Sequence, residues 1–373
     1  MPAPTRYIDS QNQLQLAVAA CLQKPVISID TEFARFNTYY PIVGLIQIYD
    51  GEICYLIDPL GVDDLSPLAE LLESPEVLKV FHACSEDMEV FQYCMGTLPT
   101  PVYDSQLAAA ALGVGFSLSY QNLVSHYLSI TVLKEETRSD WLQRPLSDGQ
   151  LKYAALDVIY LLQVYEKQQV ELESKGRESW VKEDCQLLSR DLGTMVEPDE
   201  AYKKLKSLSR LNRKQLSVLK ALCAWREVKA RESNVPRNRV VDQKSLIIVA
   251  GGDILDKADL QPMADMSPRQ VRKFGDDMLF LAEEARMLPE SEYPELIQKD
   301  GAKLDNKKLG HLRGVVQSRA IELSVAPELL TKRRHLEKLL RSVDHAGRYQ
   351  LPKELLGWRE NAIGNNLLEA LHA

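Results

Sequence analysis

The residues that could do chemistry in this chain are acids placed where acids are costly. In "VISIDTEFARF", residues 26–36, an apolar run reads as a β-strand, and strand side chains alternate faces. Ile27, Ile29 and Thr31 then share one face, and Val26, Ser28, Asp30 and Glu32 the other. Two carboxylates side by side on a half-buried face repel each other and resist desolvation. Divalent cations relieve that cost, because hard ions take carboxylate and water oxygens. Other acids stand at comparable places. Asp87 follows a short apolar strand and opens a helix in "VFHACSEDMEVF". Asp104 precedes the Ala-rich "SQLAAA", where N-capping accounts for it. Asp157 interrupts the apolar face of "YAALDVIYLL", which no cap explains. Tyr153 lies one helical turn before Asp157 on the same face, where a phenol can orient an attacking water. Two-metal hydrolysis of a phosphodiester needs such converging carboxylates, with the cations about 4 Å apart.

Asp30-x-Glu32, Asp87 after "HACSE", and Tyr153-x-x-x-Asp157 resemble the three motifs of the DEDD exonuclease superfamily, and the tyrosine resembles its DEDDy branch. With "GLIQIYDG", "LIDPL" and "RSDWLQRPLS", the set resembles the ribonuclease D family. The helical stretches after residue 207 resemble HRDC domains, most closely in "NVPRNRVVDQKSLIIVA". The resemblance implies a ribonuclease H-like α/β exonuclease domain with a mixed sheet over residues 1–200, with a linker helix from about 171. Two all-helical HRDC-like domains, 207–290 and 295–373, would follow. The implied activity is a 3′-5′ exoribonuclease releasing 5′-mononucleotides and processing the 3′ ends of tRNA precursors and other structured RNA. Asp30, Glu32, Asp87 and Asp157 would hold two divalent cations, Mg²⁺ or Mn²⁺, and Tyr153 would hold the water in line. Phe33, directly after Glu32, and Trp141 are candidates for contact with the terminal base. Asp104 is a candidate substrate contact, beside its reading as a cap or a partner behind the metal ligands. His82, five residues before Asp87, reads as a structural residue at a strand end.

The elements that must position these groups are legible in outline. "PVISIDTEF", "GLIQIYDG" and "EICYLIDPL" read as a three-strand meander, and "VLKVFHA" as a further strand. "LSPLAELLES" reads as a helix with Ser66 at its N-cap and Pro67 at its first position. "SEDMEVFQYCMG" reads as a helix closing at Gly96, and "PVYDSQLAAAALG" as a strand end entering a helix that stops at Gly113. A long helix runs from Ser147 through "SDGQLKYAALDVIYLLQVYEKQQVELESKG". Strands first, then strands alternating with helices, imply an α/β domain with a mixed sheet. Strand signals nearly vanish after about residue 175.

Charge divides along the chain. Residues 1–170 hold 9 Lys and Arg against 21 Asp and Glu, whereas residues 171–373 hold 36 against 32. Such asymmetry points to a polyanion-binding part joined to an acidic part. Arg210, Arg213, Arg237 and Arg239 in the first helical stretch, and the run "TKRRHLEKLLR" in the second, are candidate phosphate contacts of the sequence-independent kind. The six cysteines form no CxxC pair, which leaves buried, reduced thiols. No apolar run approaches the ~18 residues of a membrane span, and "MPAPTRYIDSQNQ" lacks a signal peptide's features. A cytoplasmic monomer is the expectation. Two rivals remain at this stage: a DNA 3′-5′ exonuclease on the same fold, and a non-catalytic RNA-binding protein.

Overall fold

The computed structural model describes residues 3–132, 139–192, 197–205, 208–252, 254, 256–296 and 305–372. Arg138 of the "RSDWLQRPLS" motif lies outside them. The chain separates into two compact units, one of residues 1–34, 42–193 and 302–373, the other of residues 35–41 and 194–301.

The first unit is organised by a six-stranded mixed sheet. Its strands are β1 (Thr5–Ile8), β2 (Val26–Ala34), β3 (Ile42–Tyr49), β4 (Cys54–Ile57), β5 (Leu78–Phe81) and β6 (Val102–Asp104), in the order β1-β4-β3-β2-β5-β6. The expected meander is β2-β3-β4, antiparallel throughout, while β1 joins β4, β5 joins β2 and β6 joins β5 in parallel. Edge strand β1 and the helix after it, α1 (Gln11–Cys21), escaped the sequence reading. Ile27 and Ile29 point with Ile46 and Ile48 into a core closed by α1, α2 (Ser66–Glu73) and α3 (Ser85–Met95). Each such fully buried side chain contributes roughly 1.5–3 kcal/mol, which fixes the register that turns Asp30 and Glu32 to the opposite face.

That opposite face is covered by a long helix. After α4 (Ser105–Leu112) and α5 (Tyr120–Leu128), α6 runs from Asp148 to Lys175. Ser147 and Gln150 form a capping box at its start, and left-handed Gly176 ends it. Ala154, Ala155, Val158 and Ile159 of α6 pack on Leu45, Cys54 and Leu56 of the sheet. The α2 reading needs one correction. Leu65 is its N-cap residue, so Ser66 is the first helical residue and Pro67 the second. Asp64 accepts hydrogen bonds from both the Ser66 amide (2.8 Å) and its hydroxyl (2.6 Å), taking over the capping role.

Also in the first unit, α7 (Glu178–Leu192) carries the C-terminal helical module. Trp180 stacks on Trp358 with centroids 4.2 Å apart and planes 13° from parallel. Arg359 clamps Asp184 with two bonds of 2.5 and 2.8 Å. Arg177 donates to the carbonyls of Ala111 and Leu323, 2.6 Å each. At Gly113 (φ 81°) a Cβ would sit 2.0 Å from the Ser324 oxygen, so only glycine allows this approach.

The second unit is a helical module with its own core. It contains α8 (Arg213–Glu232), α9 (Arg237–Val240), α10 (Gln243–Gly251), α11 (Leu260–Ala264) and α12 (Pro268–Met287). Leu216, Leu219, Leu222, Leu246, Val249 and Met278 are fully buried in it. The C-terminal module repeats the start of that succession with α13 (Asn306–Leu323), α14 (Pro327–Leu330), α15 (Arg333–Arg341) and the terminal α16 (Asn365–His372). No described helix is long and apolar enough to cross a membrane. All six cysteines are unbridged, five buried and Cys94 half-buried.

Candidate active site

Three carboxylates come together on the α6 side of the sheet. One oxygen each from Asp30, Glu32 and Asp157 lies within 4.8 Å of the others. Period-two alternation brings Asp30 and Glu32 to the same face of β2. Asp157 reaches them because the backbone of α6 is fastened to its surroundings at that level. The Ser28 hydroxyl donates to the Val158 carbonyl (2.7 Å). The Tyr120 hydroxyl, at the start of α5, donates to the carbonyls of Leu156 (3.1 Å) and Asp157. Three successive carbonyls of one helical turn are therefore held from outside the helix. Beyond Glu32 the β2–β3 register slips, leaving Gly44 of β3 unpaired as a bulge. Bulges beside functional sites bend the strand and re-aim its side chains.

Asp87 enters from a different element. It lies in the first turn of α3, 6% exposed, and stands outside the triangle of converging oxygens. The Thr31 hydroxyl donates to its Oδ1, so the strand residue between Asp30 and Glu32 holds the fourth acid. Asp104 positions that helix from behind. Its carboxylate accepts from the amides of Gln106 (2.8 Å) and Leu107 (3.3 Å) as the α4 cap, and from Ala83 (3.2 Å) and Cys84 (2.9 Å) just before α3. It is 2% exposed and its oxygens are taken up by those four amides, so the structure places it as a cap that braces the Asp87 helix and not at a surface open to substrate.

The electrostatics of the cluster are those of a site short of positive charge. Burial first, then Asp87, Asp157 and Glu32, raise the Asp30 carboxyl well above the ordinary range. Burial and the charges of Asp157 and Asp87 push Glu32 up to about 9. Burial raises Asp87 to about 7 against the Thr31 hydrogen bond, and Asp157 to about 7 against one from Tyr153. Asp157 Oδ1 is buried and has no hydrogen-bond partner. A hard divalent cation supplies what is missing, a ligand for that oxygen and a counter-charge for its neighbours, so these residues fit the expected metal.

Tyr153 binds the Asp157 carboxylate through its hydroxyl, and burial together with Asp157, Glu32 and Asp30 raises its pKa far above the ordinary phenol value. It stays a protonated donor. A cavity of about 120 Å³ opens here, lined by Asp30, His82, Tyr120, Gln121, Tyr153, Asp157 and Leu161. His82 bonds Ser105 Oγ at 2.9 Å, meets the Tyr120 ring edge-on at 5.6 Å, and is held below the ordinary imidazole pKa by burial. Tyr120 and Gln121 were missed because α5 was not read from the sequence. The only local signal was Ser119 as its cap.

The other candidates fall elsewhere. Phe33 is half-buried in β2, just past the register slip. Trp141 is 3% exposed in the core under α6, with its ring 6.2 Å from that of Tyr153. It has no open face for a base, so its stacking candidacy is corrected to packing behind Tyr153. In the second unit Arg210 is exposed. Arg213 donates to the Tyr293 and Pro294 carbonyls at 2.9 and 3.3 Å, Arg237 is bound to Glu227, and Arg239 to Asn37 at 3.0 Å.

A family model described as a 3′-5′ exonuclease matches residues 5–173, and the HRDC domain model matches residues 215–281. The ribonuclease D of Pseudomonas paraeruginosa is 46% identical over 350 residues, 94% of this chain and 93% of that protein. The ribonuclease D of Escherichia coli is 36% identical over 98% of this chain and 97% of its own. The crystal structure of Escherichia coli RNase D, an exoribonuclease involved in structured RNA processing, superposes with a TM-score of 0.92. It is 34% identical, and the match covers 99% of this chain and 98% of that one.

Proposed function

This chain belongs to the ribonuclease D family and is a 3′-5′ exoribonuclease, and from its site we propose how it hydrolyses RNA. Neither a DNA-specific nuclease nor a non-catalytic RNA binder is favoured by that kinship. The family uses divalent metal, and the acidic cluster is the candidate site for it. Asp30, Glu32, Asp87 and Asp157 would hold two cations, Mg²⁺ or Mn²⁺. When bound, the cations would lower the pKa of the attacking water and offset the charge developing on the leaving 3′ oxygen.

The chain's own residues do the rest. Tyr153 gives its one hydroxyl proton to Asp157 and stays protonated, so it orients the water by accepting a hydrogen bond on its phenol oxygen and does not serve as the base at neutral pH. Ser28 and Tyr120 keep Asp157 at the depth of Asp30. Thr31 and Asp104 fix Asp87. Phe33 is read as a wall for the terminal base. The observation that carries this reading is the convergence of Asp30, Glu32 and Asp157 with an unpartnered carboxylate oxygen among them. One chain supplies all five groups, which supports a monomer as the working form.

The C-terminal module is read as a second HRDC-like domain. In support, α13, α14 and α15 have 18, 4 and 9 residues, close to the 20, 4 and 9 of α8, α9 and α10. The RNA is read as a tRNA precursor with an extended 3′ end, in keeping with the structured RNA that the Escherichia coli enzyme processes. The test is digestion of a 5′-labelled precursor carrying a short 3′ trailer, beside DNA of the same sequence. The expected product is a ladder shortening one nucleotide at a time from the RNA 3′ end. Internal fragments, or equal digestion of the DNA, would count against the assignment.

A further inference from the structure

We propose that Gln47 is a positioning residue for the carboxylate site, whose amide holds Asp30 in its metal-binding orientation from the neighbouring strand. This rests on the reading of Asp30 as a metal ligand and names the group that keeps it in place. Gln47 stands at the centre of "GLIQIYDG", in β3. Its neighbours Ile46 and Ile48 point into the core closed by α1, α2 and α3, so alternation turns the Gln47 side chain to the opposite face, under α6. Its partners in register are Asp30 on β2 and Leu56 on β4. Residues directly opposite in an antiparallel pair share a face, with Cβ atoms about 4.5–5.5 Å apart. Leu56 and the next residue on the same face of β3, Leu45, pack on Ala154 and Val158 of α6. Across the strand pair, the polar neighbour of Gln47 is Asp30.

An amide is the wrong group here for packing alone. Gln47 is 0% exposed, and neither its Oε1 nor its Nε2 has a hydrogen-bond partner. A methionine or leucine would fill the same space without two unpaired polar groups, each of which is costly to bury. Gln150 and Gln168, also buried, have both amide atoms engaged. Gln150 accepts from the Ser147 amide (2.9 Å) and donates to the Asp140 carbonyl (3.2 Å). Gln168 accepts from the Tyr103 hydroxyl (3.1 Å) and donates to the Ser105 carbonyl (3.0 Å). The acids show a matching gap. Asp87 accepts from the Thr31 hydroxyl and Asp157 from Tyr153. Asp30 accepts from the backbone of Thr31, and no side-chain donor reaches it among the described residues. Carboxylates that ligate a metal are themselves held by hydrogen bonds from behind. The Nε2 of Gln47 supplies that bond to Asp30, directly or through one buried water of the kind that serves two to four otherwise unsatisfied polar groups.

The test compares the full unaltered chain with Gln47→Met, which keeps the volume and removes the amide. Mn²⁺ binding in the absence of RNA is read by calorimetry, and hydrolysis is read separately. Gln47→Met should bind Mn²⁺ about 10–100-fold more weakly, the loss expected when a ligand's supporting hydrogen bond is removed. At a fixed, subsaturating Mn²⁺ concentration its kcat should fall while KM for RNA stays unchanged. Its melting temperature in EDTA should match or exceed the parent's, because the variant buries no unpaired amide. Unchanged Mn²⁺ affinity, or a lower melting temperature in EDTA, would overturn the proposal and make Gln47 a residue of the core. A crystal structure of the parent with Mn²⁺ gives a second reading that needs no variant. The Gln47 amide nitrogen should lie within about 3.2 Å of an Asp30 oxygen or of one water bridging to it, and an amide turned away from Asp30 would overturn the proposal. A parent that binds no Mn²⁺ would refute the metal reading itself, a result distinct from a parent and a variant that bind it alike.

Discussion

Replacing Asp157 by asparagine should abolish hydrolysis and yet stabilise the metal-free protein. Asp157 is 6% exposed, and burial moves its carboxyl from the ordinary 3.8 to about 7. Roughly three pH units at about 1.4 kcal/mol each put the cost of keeping it ionised on the order of 4 kcal/mol. The sign follows from linkage. The folded state binds this proton more tightly than the unfolded state, so stability is highest below pH ~4 and falls as pH rises toward 7. Asparagine keeps the shape without the charge, but its amide needs partners in a buried site, which costs about 1–3 kcal/mol. The net gain at pH 8 is therefore about 1–3 kcal/mol, and it vanishes or reverses at pH 5. In thermal denaturation with EDTA, the variant should melt roughly 2–8 °C higher than the parent at pH 8, with no gain at pH 5. Added Mg²⁺ should raise the parent's melting temperature and leave the variant nearly unmoved. A variant that melts lower than the parent in EDTA by the same amount at both pH values would refute the argument, because burial of like charge would then not be what governs this site.

Three further outcomes follow from the same contacts. Tyr153→Phe should lower kcat about 100-fold, the lower range for a positioned proton-transfer or orienting group, with RNA binding in EDTA unchanged; a loss confined to KM would show that the hydroxyl serves binding alone. Thr31→Val frees Asp87 and should weaken Mn²⁺ affinity by about 10–100-fold, as expected when a ligand loses its supporting hydrogen bond, read by metal titration of activity and by calorimetry. Gly44→Ala should destabilise the first unit by several kcal/mol, because a Cβ there would lie 2.5 Å from the Trp141 carbonyl oxygen and 2.9 Å from its Cβ, an overpacking clash against backbone; a melting temperature within 1–2 °C of the parent would count against it.

The acids were legible because their cost is local. Asp30 and Glu32 follow from strand alternation, and Tyr153 with Asp157 from helical spacing, so two of the three elements that meet at the site announce themselves. The hydroxyls that set the geometry do not. Ser28 reaches Val158 across 130 positions and Tyr120 reaches Leu156 across 36, and nothing in a serine or tyrosine marks such a partner. Thr31 was placed with Ile27 and Ile29 by alternation, and its bond to Asp87 comes from the tertiary approach of α3. Strand β1 has four residues and pairs with β4 some fifty residues on, too short for a period to show. Trp141 is a stacking candidate in the sequence from its place just before the long helix, but the Gly44 bulge lets its backbone close on the sheet. The charge asymmetry pointed to the helical half, yet several of its arginines are spent on carbonyls and Glu227.

The most direct test of the account is the release of 5′-mononucleotide from 3′-labelled RNA by the unaltered chain and by Asp30→Asn, each with Mg²⁺, with Mn²⁺ and with chelator. The account predicts release one nucleotide at a time with either cation, none with chelator, and none from Asp30→Asn under any condition. Release that persists in chelator, or in Asp30→Asn with metal present, would contradict it.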